Sequence, residues 1–258
     1  MLIDAHCHFN SLSKDKIHQV ASACSENYWF IDSSIDKKSS QISLEISGKY
    51  DFIYSSLGFH PFSLEQYTSQ DINDYQKMVS NNKKIIAIGE IGLDYKAKTS
   101  LRKQEETLKD FLQLAKKNNL AIVIHNRLEL FEKREDLRIL NILDSVVFNY
   151  PKVMFHCFSY SPDFLQEAIK RKVFISFSLN ILRNNKNIIA SLKQCPLNKL
   201  ILETDSPYMR INNLPSSPLN ISEVYSHVAS VRSIKEEDLE DTVLSNINSL
   251  FFKEKGAE

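Results

Sequence analysis

The chain has 258 residues, 43% of them apolar and 25% charged, the balance of an ordinary globular enzyme. Lys and Arg number 32 against 32 Asp and Glu, and a formal net charge of zero argues against a protein that holds nucleic acid through its overall field. A chain of this length buries a sizeable core without disulfides or a structural metal, and no stretch approaches the ~20 apolar residues of a membrane span. In chain order, short runs rich in Ile, Val and Phe mark strands at 2–8, 28–33, 52–58, 84–90, 120–125, 152–156, 173–178 and 199–204. Amphipathic stretches separate them. In LRKQEETLKDFLQLAKKNN, for instance, Leu108, Phe111, Leu112 and Ala115 fall at i, i+3, i+4 and i+7, one face of a helix. After the eighth strand two more helices are expected, one from about Ile221 with Asn220 and Glu223 as a capping box, one after Ser233 with Glu236 as its partner.

Strands separated by helices imply parallel pairing through right-handed crossovers. Eight such units in this length predict an α/β fold: a single (β/α)8 TIM barrel with extra C-terminal helices, one domain over residues 1–258. An open doubly wound sheet would carry a Gly-rich phosphate loop after its first strand. With five glycines and neither a G-x-G-x-x-G nor a Walker loop, no nucleotide cofactor is expected. The opening MLIDAHCH has no basic leader and no long apolar stretch, so no signal peptide is expected. Cys7, Cys24, Cys157 and Cys195 form no C-x-x-C pair and read as reduced thiols of a cytoplasmic protein.

Polar residues collect at the strand ends: Asp4-Ala-His6-Cys-His8, Gly58-Phe-His60-Pro61, Gly89-Glu90-Ile-Gly92-Leu-Asp94, His125-Asn-Arg127, His156-Cys and Glu203-Thr-Asp205-Ser-Pro207-Tyr208. In a barrel these ends open onto one rim, where active sites of this fold lie. Five of the seven histidines sit there, which chance would rarely arrange; His18 and His227 fall in helical patterns, are read as solvent-facing and are given no role. Because side chains alternate along a strand, His6 and His8 share a side and can grip one ion, Cys7 faces the helices, and Asp4 is placed to orient a ligand imidazole. By the same alternation Glu203 and Asp205 share a face. A lone H-x-H is a weak signal, and a lone buried His is usually a hydrogen-bonded core residue. Convergence of His6, His8, Glu90, His125, His156 and Asp205 from five strand ends changes the balance towards a metal centre. Imidazole with carboxylate suits Zn, Mn, Fe or Ni, and carboxylate-rich variants accept Mg. Six ligands exceed one tetrahedral ion and fit two ions that share a bridging carboxylate.

The motifs IDAHCH, GFHP, GEIGLDY, VIHNR, FHCFS and LETDSPY, in that order from residue 2 to about 208, closely resemble the TatD family of metal-dependent deoxyribonucleases, and the closing NINSLF resembles the end of its members. The resemblance implies two divalent metal ions. His6 and His8 would hold one, Glu90 would bridge both, His125 and His156 would hold the second, and Asp205 would bind the first while handling the proton of the attacking water. His60 would contact substrate. The implied reaction is hydrolysis of a DNA phosphodiester, exonucleolytic by analogy, through a water activated by the two cations. Its partner would be nucleic acid, single-stranded DNA foremost, with no membrane and with a monomer compatible.

Arg127 reads equally as a phosphate fork or a rim salt bridge, Asp94 as a loop anchor before a substrate contact, and Tyr208 as a base-stacking or loop-packing ring. The charged run at 133–138 reads as a solvated helix face. After LETDSPY, where the family carries Arg-Gly and Asn-Glu-Pro, this chain has MRINNLPSSPLN, with Pro218 at the Pro position; Lys96 stands where a second tyrosine is usual. These departures leave the proposed ligands intact and fall where substrate would be held. Two other readings remain: an amide, lactone or ester hydrolase on the same barrel, aminoacyl-tRNA ester included, and a non-catalytic metal-stabilised binding protein. Many amidohydrolases place a carboxylated Lys at the strand-four end, so Glu90 favours the nuclease side.

Overall fold

The computed structural model describes residues 1–24, 27–127, 137–147 and 150–252. Its strands are β1 (Leu2–Cys7), β2 (Tyr28–Ser33), β3 (Ile53–Leu57), β4 (Ile85–Asp94), β5 (Ala121–Arg127), β6 (Val153–Phe155), β7 (Phe174–Phe177) and β8 (Leu200–Leu202). They form one sheet in sequence order, each parallel to the next. Helices alternate with them: α1 (Lys14–Ala23), α2 (Lys37–Lys49), α3 (Asp71–Asn81), α4 (Leu101–Lys117), α5 (Arg138–Val147), α6 (Pro162–Lys170) and α7 (Lys186–Gln194). After β8 come α8 (Ile221–Arg232) and α9 (Glu236–Phe251). The (β/α)8 barrel expected from the sequence is therefore the architecture, and among the described residues no helix is long and apolar enough to cross a membrane.

The reasons are local. All ten residues of β4 are buried, because a parallel barrel strand is covered by barrel side chains on one face and helices on the other. Helix α4 starts at Ser100, whose side chain accepts from the Lys103 amide, and buries Leu108, Phe111, Leu112 and Ala115 as its periodicity predicts. Phe111 meets the rings of Phe59, Tyr67 and Tyr75. Burying such a side chain contributes about 1.5–3 kcal/mol. Gly92, at a φ of 154°, lies where an added Cβ would come within 1.7 Å of the His125 carbonyl oxygen, so only glycine lets β4 run this close to β5.

Several expectations change. Ser233 does not cap α9; it ends α8 in the left-handed conformation, the turn that brings α9 back against α8, and Lys235 precedes α9 without a side-chain cap. Asn220 Oδ1 accepts from the Ser217 amide, as the partner of the Ser217 cap on the short turn at Pro218–Asn220, and Asn220 Nδ2 donates to Glu223. His227 is half-buried, whereas His18 is exposed as expected. Of the charged run, 133–136 lie outside the described residues, and Arg138 pairs with Glu105 at 3.1 Å on the surface.

Asp4 also departs from its expected role. It faces the seam between β1 and β8, where its carboxylate accepts from the Thr204 amide at 2.9 Å, the Thr204 hydroxyl at 2.5 Å and the His6 amide at 3.2 Å. Backbone bonds from the Asp205 amide to the His6 carbonyl and from the His8 amide to the Ser206 carbonyl finish the closure. Asp4 thus clasps the barrel instead of an imidazole. Burial pushes its carboxyl up to about 8, against the opposing pull of the Thr204 bonds. A pKa raised by folding gives a contribution that is full below about pH 4 and is lost as pH climbs through about 8. Asp4→Asn, which keeps the shape and an acceptor oxygen for the Thr204 and His6 amides but cannot ionise, is expected to flatten the fall in unfolding free energy across that window by on the order of 1–3 kcal/mol. Urea unfolding at stepped pH measures it; an unaltered slope rules the clasp out as its source.

Candidate metal centre

The register of the sheet shifts at three places, between β1 and β2, β3 and β4, and β4 and β5, and the first and last of these aim side chains into one spot. Three steps along β1, from Asp4 to Cys7, match two along β2, and three along β4, from Ile88 to Ile91, match two along β5. Extra residues of this kind bend a strand and re-aim a side chain. They leave His6 and Glu90 facing each other inside the C-terminal mouth of the barrel, with Cys7 turned to the helices among Phe9, Ile17 and Phe30.

Glu90 lies at the centre, and only 5% of its side chain is exposed. Its Oε2 looks to His6 Nε2 at 3.5 Å and His8 Nε2 at 3.8 Å. The other oxygen, Oε1, faces His125 Nδ1 at 2.7 Å, His156 Nε2 at 2.8 Å and His60 Nε2 at 3.4 Å. Within each pair the ring nitrogens approach to 3.2 Å, His6 to His8 and His125 to His156. Asp205 closes the first pair from the rim, its Oδ1 3.4 Å from His8 Nε2 and 3.9 Å from His6 Nε2. One carboxylate therefore stands between two imidazole pairs.

Sets of three donors that lie close enough to share an ion are His6 with His8 and Glu90, His60 with Glu90 and His125, and His6 with His156 and Glu203. Buried imidazoles and carboxylates converging without Lys or Arg among them form a donor set that suits divalent cations. His156 Nδ1 and Glu203 Oε2 are buried without a hydrogen-bond partner, a state that a protein normally avoids and that a ligand at this spot would relieve.

Residues 3–252 match the family described as TatD related DNase. This chain belongs to the TatD family. It is 31% identical to an uncharacterized metal-dependent hydrolase of Methanocaldococcus jannaschii over 98% of this chain and 97% of that one. It is 27% identical to the human deoxyribonuclease TATDN3, over 98% and 95%. A solved TatD homologue from Escherichia coli, YjjV, superposes with a TM-score of 0.84 at 25% identity, covering 97% of each chain. The protein is a TatD-family metal-dependent hydrolase.

As a TatD chain it brings all six sequence-predicted ligands to one place: His6, His8, Glu90, His125, His156 and Asp205 are each at most 8% exposed and joined by the contacts above. Glu203 and Asp205 do not share a face. Strand β8 stops at Leu202 and Asp205 takes a φ of 56°, so alternation no longer applies. Asp205 turns to His8, while Glu203 accepts from the Cys157 amide at 2.6 Å and lies 3.5 Å from His156 Nδ1. Asp94 anchors its loop through the Lys96 amide at 2.8 Å and also reaches His125 Nε2 at 2.9 Å, a carboxylate behind an imidazole that fixes the ring. Arg127 pairs with that same Asp94 oxygen at 3.3 Å yet keeps its side chain half exposed at the cavity wall. His60 and Tyr208 also line the cavity, and the Tyr208 ring meets His8 edge-on at 4.6 Å.

Charges follow this geometry. Burial opposes ionisation of Glu90, but the charge on His156 and the hydrogen bonds from His125 and His156 outweigh it and hold the carboxyl well below its usual range. Asp205 is likewise lowered; burial works against it and the bond from His8 with the nearby imidazoles wins. Burial pushes His60 down to about 3, leaving a neutral ring. Glu203, Asp94 and Ser33 were not among the predicted ligands. Spacing could have suggested Glu203 and Asp94, which stand in the same motifs, whereas nothing titratable draws attention to Ser33.

Proposed function

We propose that this chain is a DNA phosphodiesterase that uses two divalent ions, working in the cytoplasm as one domain over residues 1–258. The observation that carries the reading is the Glu90 carboxylate, split between His6 and His8 on one oxygen and His125 and His156 on the other. His6 and His8 would hold the first ion with Asp205, His125 and His156 would hold the second, and Glu90 would serve both. Divalent cations there supply Lewis-acid activation of water and neutralise charge on phosphate oxygens.

The chain's own groups supply the rest. Asp205, ionised at neutral pH and open to the cavity, takes the proton of the attacking water. Arg127, held by Asp94, presents the free edge of its guanidinium to a phosphate. Phe62, Tyr95 and Tyr208 are exposed apolar rings, 52%, 41% and 54%, along a cavity of about 1030 Å³. Rings in that position suit the unstacked bases of a single strand, because stacking tolerates any base. The name of the human relative supports DNA as substrate. The cysteines are free thiols, as suits a reducing compartment.

Metal-stripped protein reloaded with Mg, Mn, Zn, Fe or Ni is the test, assayed on single-stranded DNA, RNA and model phosphodiesters, esters and amides. Mg or Mn is expected to support degradation of single-stranded DNA that chelation stops. Hydrolysis of esters or amides with no phosphodiester cut under any metal would refute the nuclease reading and move the chain to the amidohydrolase side.

A further inference from the structure

Strand β2 contributes no candidate ligand, yet its last residue touches two of them. Ser33 is fully buried. Its hydroxyl lies 3.1 Å from His6 Nδ1, and its carbonyl oxygen lies 2.7 Å from His8 Nδ1. The next residue adds to the hold, for the Ser34 carbonyl accepts from the Glu90 amide at 3.1 Å. The Ser33 peptide is itself fixed: its carbonyl also accepts from Asn10 Nδ2 at 2.8 Å, and Asn10 Nδ2 donates to Asp32 Oδ1 at 2.6 Å.

These contacts decide which ring nitrogen is free. A carbonyl can only accept, so His8 Nδ1 must carry a proton, and in the neutral ring that binds a cation Nε2 keeps its lone pair. That lone pair points to Glu90 and Asp205. The Ser33 hydroxyl can accept from His6 Nδ1 in the same way, which frees His6 Nε2, 3.2 Å from that of His8. We infer that Ser33 is a positioning residue for the first cation, locking His6 and His8 as Nδ1–H tautomers with both Nε2 atoms aimed at one point. The inference rests on the metal-centre reading above. Orientation by a partner behind a ligand imidazole is worth about 10–100-fold in metal affinity.

The experiment uses the full chain, stripped of metal, with Mn alone as probe and a chromogenic chelator as competitor. Ser33→Ala deletes the hydroxyl bond to His6 and leaves the carbonyl bond to His8. It is expected to weaken the tighter Mn site about 10–100-fold while the unfolding midpoint of the metal-free protein stays within about 2 °C. Ser33→Thr, which restores the hydroxyl, is expected to recover most of the affinity. Nitrogen-15 imidazole spectra supply a readout that a merely structural role would not move: His8 stays Nδ1–H in both proteins, and His6 becomes a tautomer mixture only in the alanine variant. Equal Mn affinity in Ser33→Ala and wild type, or an unchanged His6 tautomer, overturns the inference. Should the alanine variant fail to fold, the wild-type spectrum decides, since an Nε2–H form of His8 is incompatible with the proposal. Because no substrate enters the assay, Mn binding that depends on Ser33 sustains the inference even if DNA is not cut, whereas wild-type protein that binds no cation sinks both readings.

Discussion

Glu90→Ala is expected to lower the divalent metal content by more than one ion per chain and to reduce hydrolysis by at least ~10³-fold. One carboxylate serves two imidazole pairs, so its removal strips a donor from both sites together. It also leaves His125 and His156 nitrogens 3.2 Å apart with no anion between them. Leaving buried charge without its partner typically costs about 3–5 kcal/mol, which here acts against the charged form of His156 that Glu90 and Glu203 otherwise sustain against burial. Elemental analysis after dialysis, beside an unfolding scan, separates loss of metal from loss of fold. Glu90→Gln serves as the control, keeping the volume without the charge. Two ions per chain in the alanine variant would end the bridging assignment.

Asp205→Asn is expected to cut turnover by about 10²–10⁴-fold, the range of a positioned general base, with the fold retained. Asparagine preserves the shape, and the backbone bonds that fix this turn, from the Asp205 amide to His6 and from the Tyr208 and Met209 amides to the Asp205 carbonyl, do not involve the side chain. What is lost is the proton acceptor. In wild type its pKa is held below the ordinary value, with burial the opposing influence, so the base is ionised at neutral pH and activity falls only as pH drops through that lowered pKa. The asparagine variant should lack this acid limb. Initial rates across pH, with metal content checked on the same samples, test the claim; full activity in Asp205→Asn would remove the residue from the mechanism.

These two residues show where reading the chain runs short. Glu90 is visible in GEIGLDY as a carboxylate at a strand end, but its division between two imidazole pairs depends on the extra residue between Ile88 and Ile91. A bulge has no side-chain signature in this stretch, and strict alternation would have carried Glu90 along with its neighbours. Asp205 was legible as an acid near the rim, whereas its separation from Glu203 depends on a strand that stops at Leu202 and a left-handed residue after it. Asp4 is the plainest miss: alternation put it on the ligands' side, and the closing seam claimed its carboxylate.

By itself the amino-acid order determined the alternation of eight apolar runs with amphipathic helices, and hence the barrel and the rim to which His6, His8, His125 and His156 belong. Periodicity does this because each segment must bury its own apolar face, a requirement written in neighbouring residues. The tertiary structure alone decided which nitrogen of each imidazole faces the centre, that Asp94 backs His125 and that Ser33 holds His6 and His8 from a strand with no ligand of its own. Such pairings join residues 25–31 positions apart through single hydrogen bonds, whose few-tenths-of-an-ångström tolerance is set by strand register and bulges and not by any local pattern.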